Sequence, residues 1–247
     1  MATGLTPGGG LGRDVIPLAD RNPQPMAYSV KEIFYTLQGE GAQSGRAAVF
    51  CRFTGCNLWT GLEADRARAV CQFCDTDFVG TDGENGGAFP SAADLVDVLA
   101  RVWRDGAGTA PDAGHRPRRV RPYIVFTGGE PLLQLDAELA RVAGLAGFEL
   151  AVETNGTRPV PPGVDWICVS PKAGAKLVQR TGHELKLVYP QPGAEPELYA
   201  HLDFDHYFLQ PMAGPHQTAN QQATLHYCLH NPQWRISLQT HKLLGIP

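Results

Sequence analysis

Ordered patterning begins near Met26, with MAYSVKEIFYTLQGEG (26–41). Downstream, short apolar runs alternate with amphipathic ones. Ala48–Phe53 (AVFCRF), Tyr123–Phe126 (YIVF, started beyond Pro122), Glu149–Glu153 (ELAVE), Trp166–Ser170 (WICVS), Leu185–Tyr189, His206–Gln210 (HYFLQ) and Arg235–Gln239 predict strands. Ser91–Arg104 predicts the clearest helix: Leu95, Leu99 and Val102 share one stripe, Ser91 caps the first amides and Asp94 completes a capping box. Leu133–Leu145 and Thr218–Leu229 predict two more helices, and Asp105–Arg119 a loop. Continuous apolar strands separated by helices describe a parallel sheet covered by helices, an α/β fold. Six or seven such strands suit an open doubly wound sheet or an incomplete barrel. Both put active residues just beyond the C-terminal strand ends, here Thr54–Cys56, Thr127–Glu130, Thr154–Thr157, Pro171–Lys172 and Pro211–Gly214.

Composition narrows the class. The chain has 247 residues, 43% hydrophobic and 19% charged, enough for one substantial globular domain over 26–247. Residues 1–25 carry five Gly and four Pro with no period and predict a flexible extension. A net charge of −4 argues against a dedicated nucleic-acid binder. No stretch approaches the ~18 apolar residues of a membrane span, and Arg13, Asp14, Asp20 and Arg21 interrupt any secretory signal. Six cysteines are too sparse to staple a secreted scaffold, so a reducing cytoplasm is expected, with thiols available for a metal. No P-loop and no GxGxxG follows the first strand, which disfavours nucleotide hydrolysis and a Rossmann dehydrogenase.

Cys56, Cys71 and Cys74 stand as C-x14-C-x2-C. A CxxC pair lets two thiolates reach one metal or cluster, and a distant third joins at modest entropic cost. Three soft ligands on a four-iron cube leave one iron open to a chelating cofactor. Structural zinc with Cys51 as fourth ligand and redox-active thiols fit the same spacing. Cys51 is expected in the core, as are Cys168 and Cys228. Thr127-Gly128-Gly129-Glu130-Pro131 ends a strand with exposed backbone, where Glu130 can accept from a cationic amine and Pro131 suits the next helical turn. A simple tight turn explains the same residues. His226 and His230, four apart on a helix, and the cluster Arg116, Arg118, Arg119 and Arg121 read as surface groups. Asp75 and Asp77 suit either Mg²⁺ or turn capping.

Together these motifs resemble the radical S-adenosylmethionine superfamily, with Phe73 inside the last cysteine pair and GGEP at 128–131 as the methionine-binding element. The usual spacing is C-x3-C-x2-C. The 14-residue spacer is similar to that of one subgroup, the 7-carboxy-7-deazaguanine synthases. FYTLQGEG (34–41), CRFTGCNLW (51–59), CQFCDTDF (71–78), FTGGEP (126–131), ETNGT (153–157), VSPK (169–172), LQPM (209–212) and QTHKLLGIP (239–247) carry that resemblance.

The resemblance implies an incomplete TIM-like barrel of about six parallel strands with helices outside. It implies a [4Fe-4S] cluster on Cys56, Cys71 and Cys74, S-adenosylmethionine and Mg²⁺. Such a lyase contracts 6-carboxy-5,6,7,8-tetrahydropterin to 7-carboxy-7-deazaguanine with loss of ammonia, for queuosine and tRNA modification. No side chain is assigned as acid or base. Substrate contacts are expected from Leu37, Gln38, Gly39, Glu40, Arg52, Thr127 and the terminal carboxylate of Pro247. Cofactor contacts are expected from Phe73, Gly129, Glu130, Asn155, Ser170, Pro171, Lys172 and Gln210, with Thr76 on Mg²⁺. A flavodoxin- or ferredoxin-like electron donor and a homodimer complete the expectation. A glycyl-radical activating enzyme is the competing member, disfavoured by the LQGEG motif and the absence of an auxiliary cysteine cluster.

Overall fold

The computed structural model describes residues 1, 27–108 and 120–247. The expected extension over 1–25 lies outside them apart from Met1, as do Arg116, Arg118 and Arg119. The elements are β1 (Tyr28–Leu37), β2 (Ala47–Phe53), β3 (Gly87–Phe89), α1 (Ala92–Ala107), β4 (Tyr123–Gly128), α2 (Ala137–Leu145), β5 (Glu149–Thr154), β6 (Trp166–Val169), β7 (Thr181–Tyr189), β8 (Asp203–Pro211), α3 (Gln217–His230), β9 (Trp234–Ile236) and α4 (Thr240–Leu244). They build one sheet in the order β3-β1-β2-β4-β5-β6-β7-β8-β9. β1 is antiparallel to both its neighbours, and every pair from β2 to β9 is parallel.

That order decides between the two architectures. From β2 onward the parallel strands follow the chain without a reversal, so the sheet has no switch point of the doubly wound kind. The longer helices lie on one face: α1 packs on β1 and β2, α2 on β5, and α3 on β8 and β9. Leu95, Leu99 and Leu139 there meet Ile33, Val49, Phe126 and Leu150, while Leu185, Leu187, Leu209 and Trp234 form a second cluster. The opposite face carries only a small apolar layer of Ala48, Tyr123, Val125 and Ala151. The sheet ends at β3 and β9 without closing, so the fold is an incomplete barrel. Among the described residues no helix is long and apolar enough to cross a membrane.

Local chemistry sets the element ends. Ser91 Oγ accepts from Asp94 N (3.2 Å) and donates to the Asp94 carboxylate (2.6 Å), as the cap pattern requires. α1 runs three residues beyond the expected Arg104 and stops at Gly108, whose φ is 64°. The expected helix from Leu133 begins only at Ala137. Glu130 caps a short 3₁₀ turn over Pro131–Leu133, and Asp136 starts α2 afresh by accepting from Leu139 N at 2.8 Å. The expected strand at Arg235–Gln239 is shifted to Trp234–Ile236, because Gln239 opens α4. β1 went unread because Lys31 and Glu32 interrupt its apolar run. Lys31 reaches Val79 O (2.9 Å) and Asp82 (2.7 Å), and Glu32 pairs with Arg52 (2.7 Å).

Candidate active site

The C-terminal ends of the parallel strands open on a cleft of about 400 Å³ lined by Cys56, Cys71 and Cys74. Two devices bring these distant thiols to one place. After β2 the chain turns at Gly55 (φ 82°), and the glycine-rich turn of β4 crosses directly over it. Gly129 N donates to Phe53 O (3.3 Å) and Glu130 N to Gly55 O (2.9 Å). A Cβ at Gly129 would collide with Gly55 O and sit 2.8 Å from Cys56 Cβ, so this approach requires glycine. The 14-residue spacer then returns on itself: Leu58 O accepts from both Val70 N (3.0 Å) and Cys71 N (3.4 Å). Cys71 is thereby carried back towards Cys56, whose sulfur accepts from Leu58 N at 3.4 Å. A hydrogen bond between the Cys71 and Cys74 thiols pushes Cys71 up and holds Cys74 down at about 6.

Cys51 is fully buried in the helix-side core, where burial pushes its thiol well up. It does not line the cleft, which removes the fourth ligand from the zinc reading. Cys168 lies buried on the floor, its thiol donating to Glu184 at 3.5 Å, and Cys228 packs on the second core cluster. His226 and His230 stack at 4.2 Å on the exposed face of α3, outside the cleft lining. Asp77 accepts from Val79 N (3.1 Å) and meets Lys31 (3.0 Å), so it caps a turn; Asp75 pairs with Lys242 at 2.5 Å. Arg121 donates to Phe148 O (2.8 Å).

On the rim, Phe73, Gly129, Asn155, Ser170, Lys172 and Gln210 line the cleft, as does Thr76 beside Cys74. Lys172 Nζ donates to Ser170 O and Oγ, both at 2.6 Å, and burial lowers its pKa. Asn155 Nδ2 donates to Asn57 (3.0 Å), tying the end of β5 to the residue after Cys56. Two residues expected among these contacts lie outside the cleft lining. Glu130 is fully buried and turned from the cleft, accepting from Leu132 N (2.9 Å), Thr154 Oγ1 (2.7 Å) and Asn155 N (2.8 Å). Among the described residues no side-chain amine bonds to it; it fastens the turn of β4 to β5, and burial raises its pKa. Pro171 is likewise buried outside the lining, its carbonyl accepting from Gln191 at 3.4 Å.

The floor joins the first strand to the last. Leu37, Gln38, Gly39, Glu40, Arg52, Thr127 and Pro247 all line it. Glu40 accepts from Lys186 Nζ (2.6 Å), Gln210 (3.1 Å) and Gln239 (3.1 Å), and Lys186 also meets Glu153 (3.3 Å). Gln38 donates to Glu153 at 2.8 Å. Burial opposes the Glu40 charge, but Lys186 outweighs it and holds the carboxyl below its usual value. Burial likewise opposes the Lys186 charge, and Glu153 with Glu40 raises the ammonium well above a normal lysine. Beneath them burial raises the Glu184 carboxyl, which accepts from Ala42 N at 2.9 Å. The C-terminal segment docks on this floor: Thr240 N donates to Gly39 O (2.9 Å) and Thr36 Oγ1 to Pro247 O (3.0 Å). Lys186, Glu153 and Glu184 escaped the sequence reading because their partners lie far away along the chain.

An incomplete parallel barrel whose mouth holds a cysteine triad beneath a glycine-rich turn defines the radical S-adenosylmethionine enzymes. With Cys168 on the floor and engaged by Glu184, the three thiols at the mouth suit an iron–sulfur cluster with an open iron better than closed zinc. No protein-family model matches the chain. The 7-carboxy-7-deazaguanine synthase of Bordetella pertussis is 62% identical over 222 residues, covering 90% of this chain and 100% of its own length. That of Caulobacter vibrioides is 60% identical with the same coverage. The crystal structure of QueE from Escherichia coli superposes with a TM-score of 0.62 at 27% identity, covering 86% of this chain and 94% of that one. The chain belongs to the 7-carboxy-7-deazaguanine synthase family.

Proposed function

We propose that the protein converts 6-carboxy-5,6,7,8-tetrahydropterin to 7-carboxy-7-deazaguanine and ammonia, supplying queuosine and other 7-deazapurines. The observation that carries this reading is the sharing of one cleft by the cysteine triad, the Leu37–Glu40 edge, Arg52 and Thr127. Cys56, Cys71 and Cys74 would hold a [4Fe-4S] cluster, with S-adenosylmethionine against Gly129, Ser170, Lys172, Asn155, Gln210 and Phe73. When bound, these two supply a regenerated carbon radical that takes and returns one substrate hydrogen.

The chain's own residues bind and orient. Gln38 is fixed at both ends of its amide, its oxygen accepting from Glu40 N (3.1 Å) and its nitrogen donating to Glu153, so the pterin meets a rigid donor–acceptor edge. Among the described residues Arg52 gives only Nε to Glu32, which leaves its terminal nitrogens for the substrate carboxylate. Thr127 faces the substrate, and the Pro247 carboxylate accepts a pterin N–H. Thr76 offers Mg²⁺ one hard oxygen, and the substrate and water supply the rest. Magnesium affinity therefore depends on substrate. The reading also takes in a flavodoxin- or ferredoxin-like donor, a homodimer and a cytoplasmic setting.

The test is anaerobic turnover by reconstituted protein with the pterin, S-adenosylmethionine, Mg²⁺ and a one-electron reductant, followed by mass spectrometry. A reductant-dependent product lighter by one ammonia, without net consumption of S-adenosylmethionine, is expected. Cofactor cleavage with the pterin untouched would overturn the substrate assignment.

A further inference from the structure

We infer that Arg66, in the spacer between the first two cysteines, is a positioning residue that aims the backbone amides of the CxxC loop at the cluster. The inference rests on the cluster reading above. Two groups on the spacer hold this guanidinium. It lies 4.1 Å from the centroid of the buried Trp59 ring, which is itself packed edge-on against Phe78 at 5.6 Å. Its Nε is engaged by Glu63 at 2.7 Å. Its Nη1 then donates to two carbonyls of the cysteine loop, Gln72 O and Cys74 O, each at 3.0 Å.

Peptide planarity turns those two bonds into an orientation. In a trans peptide the C=O and the following N–H point in opposite directions. Drawing Gln72 O and Cys74 O towards Arg66 therefore turns Phe73 N–H and Asp75 N–H the other way, away from the spacer. Among the described residues Phe73 N, Cys74 N and Asp75 N lack an acceptor, and Phe73, Cys74, Asp75 and Thr76 line the cleft. Backbone donors are seldom left unpaired unless something else accepts from them. Thiolate and sulfide sulfurs are acceptors of that kind, and hydrogen bonds to sulfur raise a cluster's reduction potential. The extra residues of the 14-residue spacer thus carry Trp59, Glu63 and Arg66, the parts of one clamp. A fork of fixed geometry does this where a point charge does not.

Arg66→Gln and Arg66→Lys separate orientation from charge. In the cluster-loaded protein, where the sulfurs accept from these amides, hydrogen exchange of residues 72–76 is expected to quicken about tenfold in Arg66→Gln, as loss of two net hydrogen bonds implies. After reconstitution, EPR-monitored redox titration is expected to give a more negative midpoint in both variants than in the wild type. Far-UV circular dichroism checks folding; should Arg66→Gln fail it, Arg66→Lys carries the same measurements alone. A wild-type midpoint in Arg66→Gln overturns the inference. So does an Arg66→Lys protein whose potential is restored while its 72–76 amides exchange as fast as in Arg66→Gln, since charge alone would then suffice. A wild type that takes up no iron–sulfur cluster overturns the cofactor reading and this inference together, whereas a normally loaded wild type with indistinguishable variants overturns the inference alone.

Discussion

The two ends of the cleft are held by opposite means. At the thiol end the ligands ride on a spacer and turn, joined by backbone contacts at Leu58 and Gly55 and by the partly exposed Arg66 clamp. At the floor, Glu40, Glu153 and Lys186 are ordered by strands and by a shared, nearly dry ion network. A dry network of charges is costly to disturb, while a loop bonded mainly through backbone tolerates a changed side chain. The thiol end therefore waits for its ligand to complete it, and the floor is rigid before any substrate arrives.

The sharpest test of that contrast is Cys74→Ser. It is expected to abolish cluster binding and turnover, read by iron analysis, while changing apo stability in urea by no more than about 1 kcal/mol. Lys186→Met is expected to do the reverse. It strands Glu40 and Glu153 without their cation and should cost about 3–5 kcal/mol in the same denaturation. A loss below about 1 kcal/mol would show that water, not Lys186, neutralises the floor. Thr76→Ala is expected to weaken Mg²⁺ activation about tenfold with the cluster intact, measured by metal titration of the initial rate.

The smallest effect concerns pH. Burial raises the folded-state value of Glu184 above 4.5, so its contribution favours the fold below about 4.5 and is lost as pH rises through the raised value. Glu40 has the opposite sign, its lowered value adding stability above 4.5 that is lost on acidification. The stability of Glu184→Gln relative to wild type should therefore climb as pH rises from 4.5. A flat difference in pH-dependent melting would mean that the Glu184 charge is already balanced.

Legibility followed how local the information was. Ser91, Asp94 and the Leu95–Leu99–Val102 stripe described α1 because a helix is specified within a few turns. The motif residues marked the strand ends because ligand-facing glycines and cysteines are clustered in sequence. What stayed hidden was set by contacts at long range. β1 reads as polar because Lys31 finds its partners 48 and 51 residues later. Glu130 looked free to meet an amine because Thr154, 24 residues on, takes up its oxygen. The order of the strands, which separated barrel from doubly wound sheet, is not a property of any one segment.

The floor also has a history in time. Glu40 is made 199 residues before its partner Gln239, and at typical synthesis rates of 5–20 residues per second that interval is about 10–40 s. For the first 146 residues of it the carboxylate must remain in water, since its lysine and both its amide donors are still to come. The seam between the first and last strands has no backbone ladder and is stitched mainly by side chains. An N-terminal fragment lacking Gln239 would thus carry most of the strands and still lack a complete floor.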